Sequence, residues 1–158
     1  MADHPLVPAR PASAVVLARP AAGGTFEVFM VRRHVRSEFV PNAFVFPGGS
    51  VKADDVIAEE TANLCAPAGA GPTGLGSGFR VAALRECFEE AGVLLARRGS
   101  QVLSMSPDVV ERFARYRDAL NSGRMTLIQL AEKEGLTLAT DELLHWAHWI
   151  TPEPPPGK

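Results

Sequence analysis

Two cysteines, Cys65 and Cys87, are all that the 158 residues contain, too few for a disulfide framework and spaced like no zinc-ligand pattern. The default setting for such a chain is reducing and cytoplasmic. No stretch reaches the roughly 18 apolar residues of a membrane span. The start, Met1-Ala2-Asp3-His4-Pro5, has neither a basic region nor an apolar one, so neither membrane insertion nor a secretory signal is expected. An excess of one charge is missing as well. With 16 Lys+Arg against 18 Asp+Glu the formal charge is -2, which argues against a nucleic-acid or membrane-surface binder. Any polyanionic ligand would have to be met by a local site. At 46% hydrophobic and 22% charged, the composition is that of one globular domain spanning residues 1–158.

The apolar run from Ser13 to Ala18, between Pro11 and Pro20, predicts a buried strand. Ala21-Ala22-Gly23-Gly24 predicts a turn, and Phe26 to Arg33 a partner strand completing a hairpin. Ala43-Phe44-Val45-Phe46 predicts a third strand, stopped by Pro47-Gly48-Gly49. Residues 50–78 change character, with acidic Asp54, Asp55, Glu59 and Glu60 followed by a Gly/Pro/Ala-rich stretch, and predict a flexible insertion outside the core. The literal G-x-G-x-x-G match within it, Gly69 to Gly74, follows no strand and is rejected as a dinucleotide site. A helix is predicted over Phe79–Leu95, with Val81, Leu84, Phe88, Ala91 and Leu95 on one stripe. Glu86, Glu89 and Glu90 lie roughly opposite at 3.6 residues per turn. Two further helices, Asp108–Leu120 and Thr126–Glu134, flank the break Asn121-Ser122-Gly123, and Leu143–Ile150 predicts a last strand.

Chemistry concentrates on the first helix. Carboxylates at i, i+3 and i+4 are helix neighbours and can reach a common point. Like charges held together call for a cation, and Mg²⁺ suits them because it prefers oxygen ligands and bridges carboxylates to phosphates. The bland alternative is a solvated charged face. Arg32, Arg33, His34 and Arg36 follow the second strand, and guanidinium forks suit substrate phosphates, although a solvated strand end is the plainer reading. His145 and His148 alternate on a strand and cannot readily share a metal, while Trp146 and Trp149 read as core or groove residues. Cys87 has no evident base beside it and reads as a buried thiol.

The strand ending Phe46-Pro47-Gly48-Gly49, followed by Arg85-Glu86-Cys87-Phe88-Glu89-Glu90-Ala91-Gly92-Val93, resembles the signature of the Nudix hydrolase family, G-x5-E-x7-R-E-U-x-E-E-x-G-U with U a bulky aliphatic residue. Cys87 stands where an aliphatic is usual, a mild departure for a small buried hydrophobe. Gly49 to Arg85 spans 36 positions where the signature has 14, and Asp55 stands six after Gly49 in place of Glu. That departure is similar to a branch including the peroxisomal coenzyme A diphosphatases, which carry an insertion inside this box. Phe39 to Gly49 resembles the branch's run Phe-Met-Pro-Gly-Ala-x-Val-Phe-Pro-Gly-Gly. The end Trp149-Ile150-Thr151-Pro152 resembles the branch at a point where a further strand normally follows, so the domain is expected to be C-terminally incomplete.

The resemblance implies an α/β fold, a Nudix-type α/β/α sandwich with a mixed β-sheet. It implies that Glu86, Glu89 and Glu90 hold Mg²⁺ or Mn²⁺, one of them also available as a base. Arg85 would orient them, Gly49 could offer a carbonyl to the metal, and Asp55 is a candidate replacement for the displaced box glutamate. Gly92 would mark a helix end or a close approach. The implied activity is hydrolysis of the diphosphate linkage in a nucleoside diphosphate joined to another moiety, with coenzyme A or its acyl derivatives first in line. ADP-ribose or a dinucleotide is the alternative substrate, and a non-catalytic nucleotide-binding or interaction module the alternative class. Relatives of this fold often pair, which leaves a homodimer open.

Overall fold

The computed structural model describes residues 9–36, 40–67, 77–104 and 106–150. One extended segment opens it as β1 (Ala12–Ala14) and runs on through Val15 to β2 (Ala18–Pro20). The turn at Ala22–Gly24, with both Gly23 and Gly24 in the left-handed region, leads into β3 (Phe26–Val28), which sets Ala18 opposite Val28. β4 (Val31–Arg32) pairs with β5 (Phe44–Val45), and the Arg33 N–H extends the ladder to Ala43 O at 2.9 Å. The expected hairpin and third strand therefore form, in shorter pieces than the sequence pattern suggests.

The chain does not stop at Pro47-Gly48-Gly49. It continues as β6 (Gly48–Ser50), antiparallel to β1, with Ala14 opposite Gly48 and Ser13 opposite Gly49. Glycine inside a strand marks close backbone approach. A Cβ on Gly48 would lie 2.5 Å from Ser13 O and 2.8 Å from Ala14 Cα, so a side chain there would push β1 away.

Residues expected to form the flexible insertion begin instead with helix α1 (Ala53–Glu60). Asp55, Ala58 and Leu64 are buried, and Cys65 makes a parallel bridge with Leu138. This part is packed structure, which corrects the reading of it as lying outside the core. Residues 68–76 of that stretch, with the whole of the rejected glycine motif, lie outside the described residues.

Helix α2 (Phe79–Glu86) passes into a wider π turn at Cys87–Ala91 and ends at Gly92, whose φ of 72° favours glycine. The end therefore comes before Leu95, and Leu94 is the buried residue beyond it. Residues 81–88 are buried without a break. On one side Ala83 and Cys87 meet Val15, and on the other Val81, Leu84 and Phe88 join the main core. The carboxylate helix is thus central, not a one-faced surface helix.

The rest of the chain closes that core. β7 (Ala96–Arg98) pairs with β8 (Gln101–Val102) and with β9 (Thr137–Leu138), antiparallel to both. Among the described residues the ladders are antiparallel and Cys65–Leu138 adds a parallel bridge, so the fold is mixed α/β. Helix α3 (Pro107–Asn121) starts with Pro at its first position, where the missing N–H costs nothing. Helix α4 (Leu127–Glu134) starts on a capping box in which Thr126 Oγ1 accepts from Gln129 N at 3.2 Å and Gln129 Oε1 accepts from Thr126 N at 3.0 Å. Phe88, Phe113 and Tyr116 meet edge to face at the centre.

Leu143–Ile150 does not form the expected last strand. None of its residues pairs with another strand among the described residues, and Leu144, Trp146 and Trp149 are 91%, 91% and 87% exposed. Apolar content suggested a strand, but a strand needs a partner edge. His145 and His148 are exposed as well. No helix among the described residues is long and apolar enough to cross a membrane.

Candidate active site

The site is built where β6 crosses the C-terminal half of α2. Arg85 is its hub. Its Nε donates to Asp55 Oδ1 at 2.9 Å and its Nη2 to Asp55 Oδ2 at 3.0 Å, a two-pronged pair between α2 and α1. The same Nη2 donates to Ser50 O at 2.9 Å, and Nη1 donates to Glu86 Oε1 at 2.6 Å and Glu89 Oε2 at 3.0 Å. Burial by itself would lower the Arg85 pKa, but the hydrogen bonds and charges of Asp55 and Glu86 outweigh it and raise the value above that of free arginine.

Asp55 is 1% exposed, and its Oδ2 also accepts from Lys52 N at 2.8 Å. Both its oxygens face α2's arginine and its own helix start. In the structure Asp55 is the buried anchor of Arg85. Their separation of 30 positions conceals the pairing in sequence, although Asp55 stands at the box-glutamate position.

The three glutamates gather along one side of the helix. Glu86 is buried, Glu89 is nearly so, and Glu90 is exposed with its Oε2 accepting from Gly48 N at 3.1 Å. The Glu90 pKa is raised, first by burial of its carboxyl and then by repulsion from Glu86 and Glu89, while the Gly48 N–H and Arg33 work against the rise. Lys52 Nζ stands 3.7 Å from Glu89 Oε1, a partner the sequence reading had not identified.

Gly49 lies directly against Glu86. A Cβ there would overlap Glu86 Oε1 and come within 2.7 Å of its Cδ. Gly48 and Gly49 thus make opposite demands, one for backbone and one for a carboxylate. Gly48→Ala should destabilise the fold by about 1–3 kcal/mol because backbone must move. Gly49→Ala should keep a near-native thermal midpoint while displacing the Glu86 carboxylate and cutting turnover. Thermal melts and rates measured together on both variants would check this, and equal loss of stability in the two would refute it.

A cavity of about 370 Å³ opens beside Glu90, lined by Val31, Arg32, Arg33, His34, Val45, Phe46 and Gly48. Arg32 and Arg33 are therefore brought to the carboxylates, Arg32 also donating to Asn42 Oδ1 at 3.3 Å. Arg36 does not line this cavity; it is exposed, and its backbone N–H donates to His34 Nδ1 at 3.1 Å. A second cavity of about 160 Å³ flanks Glu89, Lys52 and Arg85 on the side of α4. Cys87 is fully buried, and burial pushes its pKa up to about 11, which favours the thiol over the thiolate at neutral pH.

Oxygen donors packed in excess over local positive charge suit a hard divalent cation. Among the described residues no group of three or more His, Cys, Asp or Glu side chains is arranged so as to hold a metal ion. Instead Arg85 Nη1 stands between Glu86 and Glu89, showing that these two carboxylates face a single cationic position. The donor chemistry is of the kind that suits a metal, and Arg85 Nη1 pairs with two of the donors.

No protein-family model matches the chain. Among curated proteins it is 33% identical over 143 residues to "Putative nudix hydrolase 7" of Caenorhabditis elegans, covering 90% of this chain and 39% of that protein. It is 30% identical over 188 residues to the acyl-coenzyme A diphosphatase NUDT19 of Gallus gallus, covering 90% and 50%. The chain thus spans half or less of the length of these relatives. Among solved structures it is similar to a NUDIX hydrolase from Alicyclobacillus acidocaldarius, with a TM-score of 0.70, 27% identity, and coverage of 93% of this chain and 64% of that one.

Proposed function

The chain belongs to the Nudix hydrolase family, and from that premise we propose that it hydrolyses the diphosphate linkage of a nucleoside diphosphate joined to another moiety, with coenzyme A or acyl-coenzyme A as the preferred substrate. The observation that carries this reading is the gathering of Glu86, Glu89 and Glu90 at the end of a central helix, against Gly48-Gly49 and beside an arginine-lined cavity. The preference for coenzyme A derivatives rests on the name carried by the NUDT19 relatives and on the resemblance of Phe39–Gly49 to that branch.

Glu86, Glu89 and Glu90 would hold Mg²⁺ or Mn²⁺, with the Gly49 carbonyl as a further candidate donor. Such a metal, when bound, neutralises diphosphate oxygens and lowers the pKa of the attacking water. The protein's own contribution is positional and electrostatic, which suits phosphoryl chemistry, where little covalent help is needed. Arg85 fixes Glu86 and Glu89. Arg32 and Arg33 supply guanidinium groups to the substrate phosphates, and Glu90 is pinned to β6 through Gly48. A reducing, cytoplasmic setting agrees with the two unpaired cysteines, Cys65 and Cys87.

The test is phosphoanhydride cleavage by this chain over coenzyme A, an acyl-coenzyme A, ADP-ribose and NADH, each with Mg²⁺ or Mn²⁺ and then with excess EDTA. Cleavage that is fastest on the coenzyme A pair and abolished by EDTA is the expected result. Faster cleavage of ADP-ribose or NADH would keep the chemistry and replace the substrate. Silence across the panel from a chain folded by circular dichroism would overturn the hydrolase reading.

A further inference from the structure

The carboxylates sit at an electrostatically unfavourable place. Glu89 and Glu90 belong to the last turn of the α2 helix and its π continuation, where main-chain carbonyls have no N–H ahead of them and the helix dipole is negative. Something positive has to meet those carbonyls, and the structure shows what does. Arg117, on α3, donates from Nε to Glu89 O at 2.8 Å and from Nη2 to Glu90 O at 2.8 Å. One turn later on the same face of α3, Asn121 Nδ2 donates to Glu89 O at 3.4 Å. Gly92, which ends the helix, lies alongside the same guanidinium: a Cβ there would meet Arg117 Nη1 at 3.6 Å.

We propose that Arg117 is a positioning residue of the site: by forking onto the main-chain carbonyls of Glu89 and Glu90 it fixes the backbone from which both metal-binding carboxylates project. The proposal rests on the metal-dependent hydrolase reading above. Arg85 and Arg117 divide the task, Arg85 holding the carboxylate ends of Glu86 and Glu89, and Arg117 holding the roots of Glu89 and Glu90 from the far side of the helix. The fork matters as much as the charge, because two acceptors on consecutive residues need two donors in one plane, which lysine lacks. Groups that orient metal ligands from behind typically contribute 10–100-fold to metal affinity.

The deciding experiment follows Mn²⁺ binding to the metal-free chain by electron paramagnetic resonance of free Mn²⁺, with thermal midpoints, kcat and KM recorded alongside. Arg117→Ala is expected to weaken Mn²⁺ binding about tenfold and lower kcat with little change in KM. Arg117→Lys should fall between it and the wild type. A lower thermal midpoint with unchanged Mn²⁺ affinity in the folded chain would make Arg117 a structural residue only and overturn the proposal. Where Arg117→Ala fails to fold, Arg117→Lys decides, and wild-type affinity in it overturns the proposal. A wild type that binds no Mn²⁺ overturns the hydrolase reading itself, whereas a wild type that binds as well as both variants overturns the inference alone.

Discussion

Glu89→Gln is expected to lower metal-dependent turnover on the order of 10²–10³-fold, several kcal/mol of transition-state charge stabilisation, while leaving the fold intact. The substitution removes a charge and almost nothing else. Glutamine keeps an oxygen that can accept from Arg85 Nη1, and the lost interaction with Lys52 Nζ at 3.7 Å involves a half-exposed ammonium. It also removes one of the charges that repel Glu90. The thermal midpoint should therefore hold or rise as the rate falls, a pattern no general loss of structure produces. Steady-state rates with Mg²⁺ or Mn²⁺ and a thermal melt of the same sample check it. Equal metal affinity and turnover in the variant and the wild type would show that Glu89 is not in the site.

Why some of this was legible in the sequence and some was not follows from where each signal resides. The carboxylate helix is written locally: three glutamates at helix spacing, an apolar stripe, and a glycine that stops it. The hairpin, α3 and α4 are local too, each announced by its own turn, proline or capping residue. What the sequence concealed depends on partners far along the chain. Gly48 and Gly49 read as a strand stop because glycine is a poor strand former. They are strand because Ser13 and Ala14 on one side and Glu86 on another leave no room for a side chain. The acidic run around Asp55 reads as part of an insertion outside the core, since nothing nearby reveals that Arg85 will neutralise Asp55 within it. Short strands such as β7, β8 and β9 carry too few residues to show a period. Leu143–Ile150 carried the reverse lesson, an apolar run with no partner edge among the described residues.

The Asp55–Arg85 pair yields the second large prediction. Arg85→Ala should cost about 3–5 kcal/mol, because it removes the cation from a buried pair and leaves the other charge uncompensated. Asp55 would lose both prongs of its fork and keep only the Lys52 N–H, while Glu86 and Glu89 would lose the donor between them. At roughly 2–4 °C per kcal/mol for a domain of this size, the midpoint should fall by about 6–20 °C. Arg85→Lys should recover part of this, since one ammonium cannot serve Asp55, Ser50 O, Glu86 and Glu89 together. The informative variant is the double one, Asp55→Leu with Arg85→Met. Replacing a buried ion pair by apolar residues of similar volume is often neutral, so most of the stability should return. Turnover should not return, because Glu86 and Glu89 would still lack the guanidinium that holds them toward one point. Urea denaturation followed by circular dichroism, with rates on the same samples, separates these two quantities. If turnover were restored along with stability, Arg85 would serve the fold alone, and the orientation of the glutamates would have to come from elsewhere in the site.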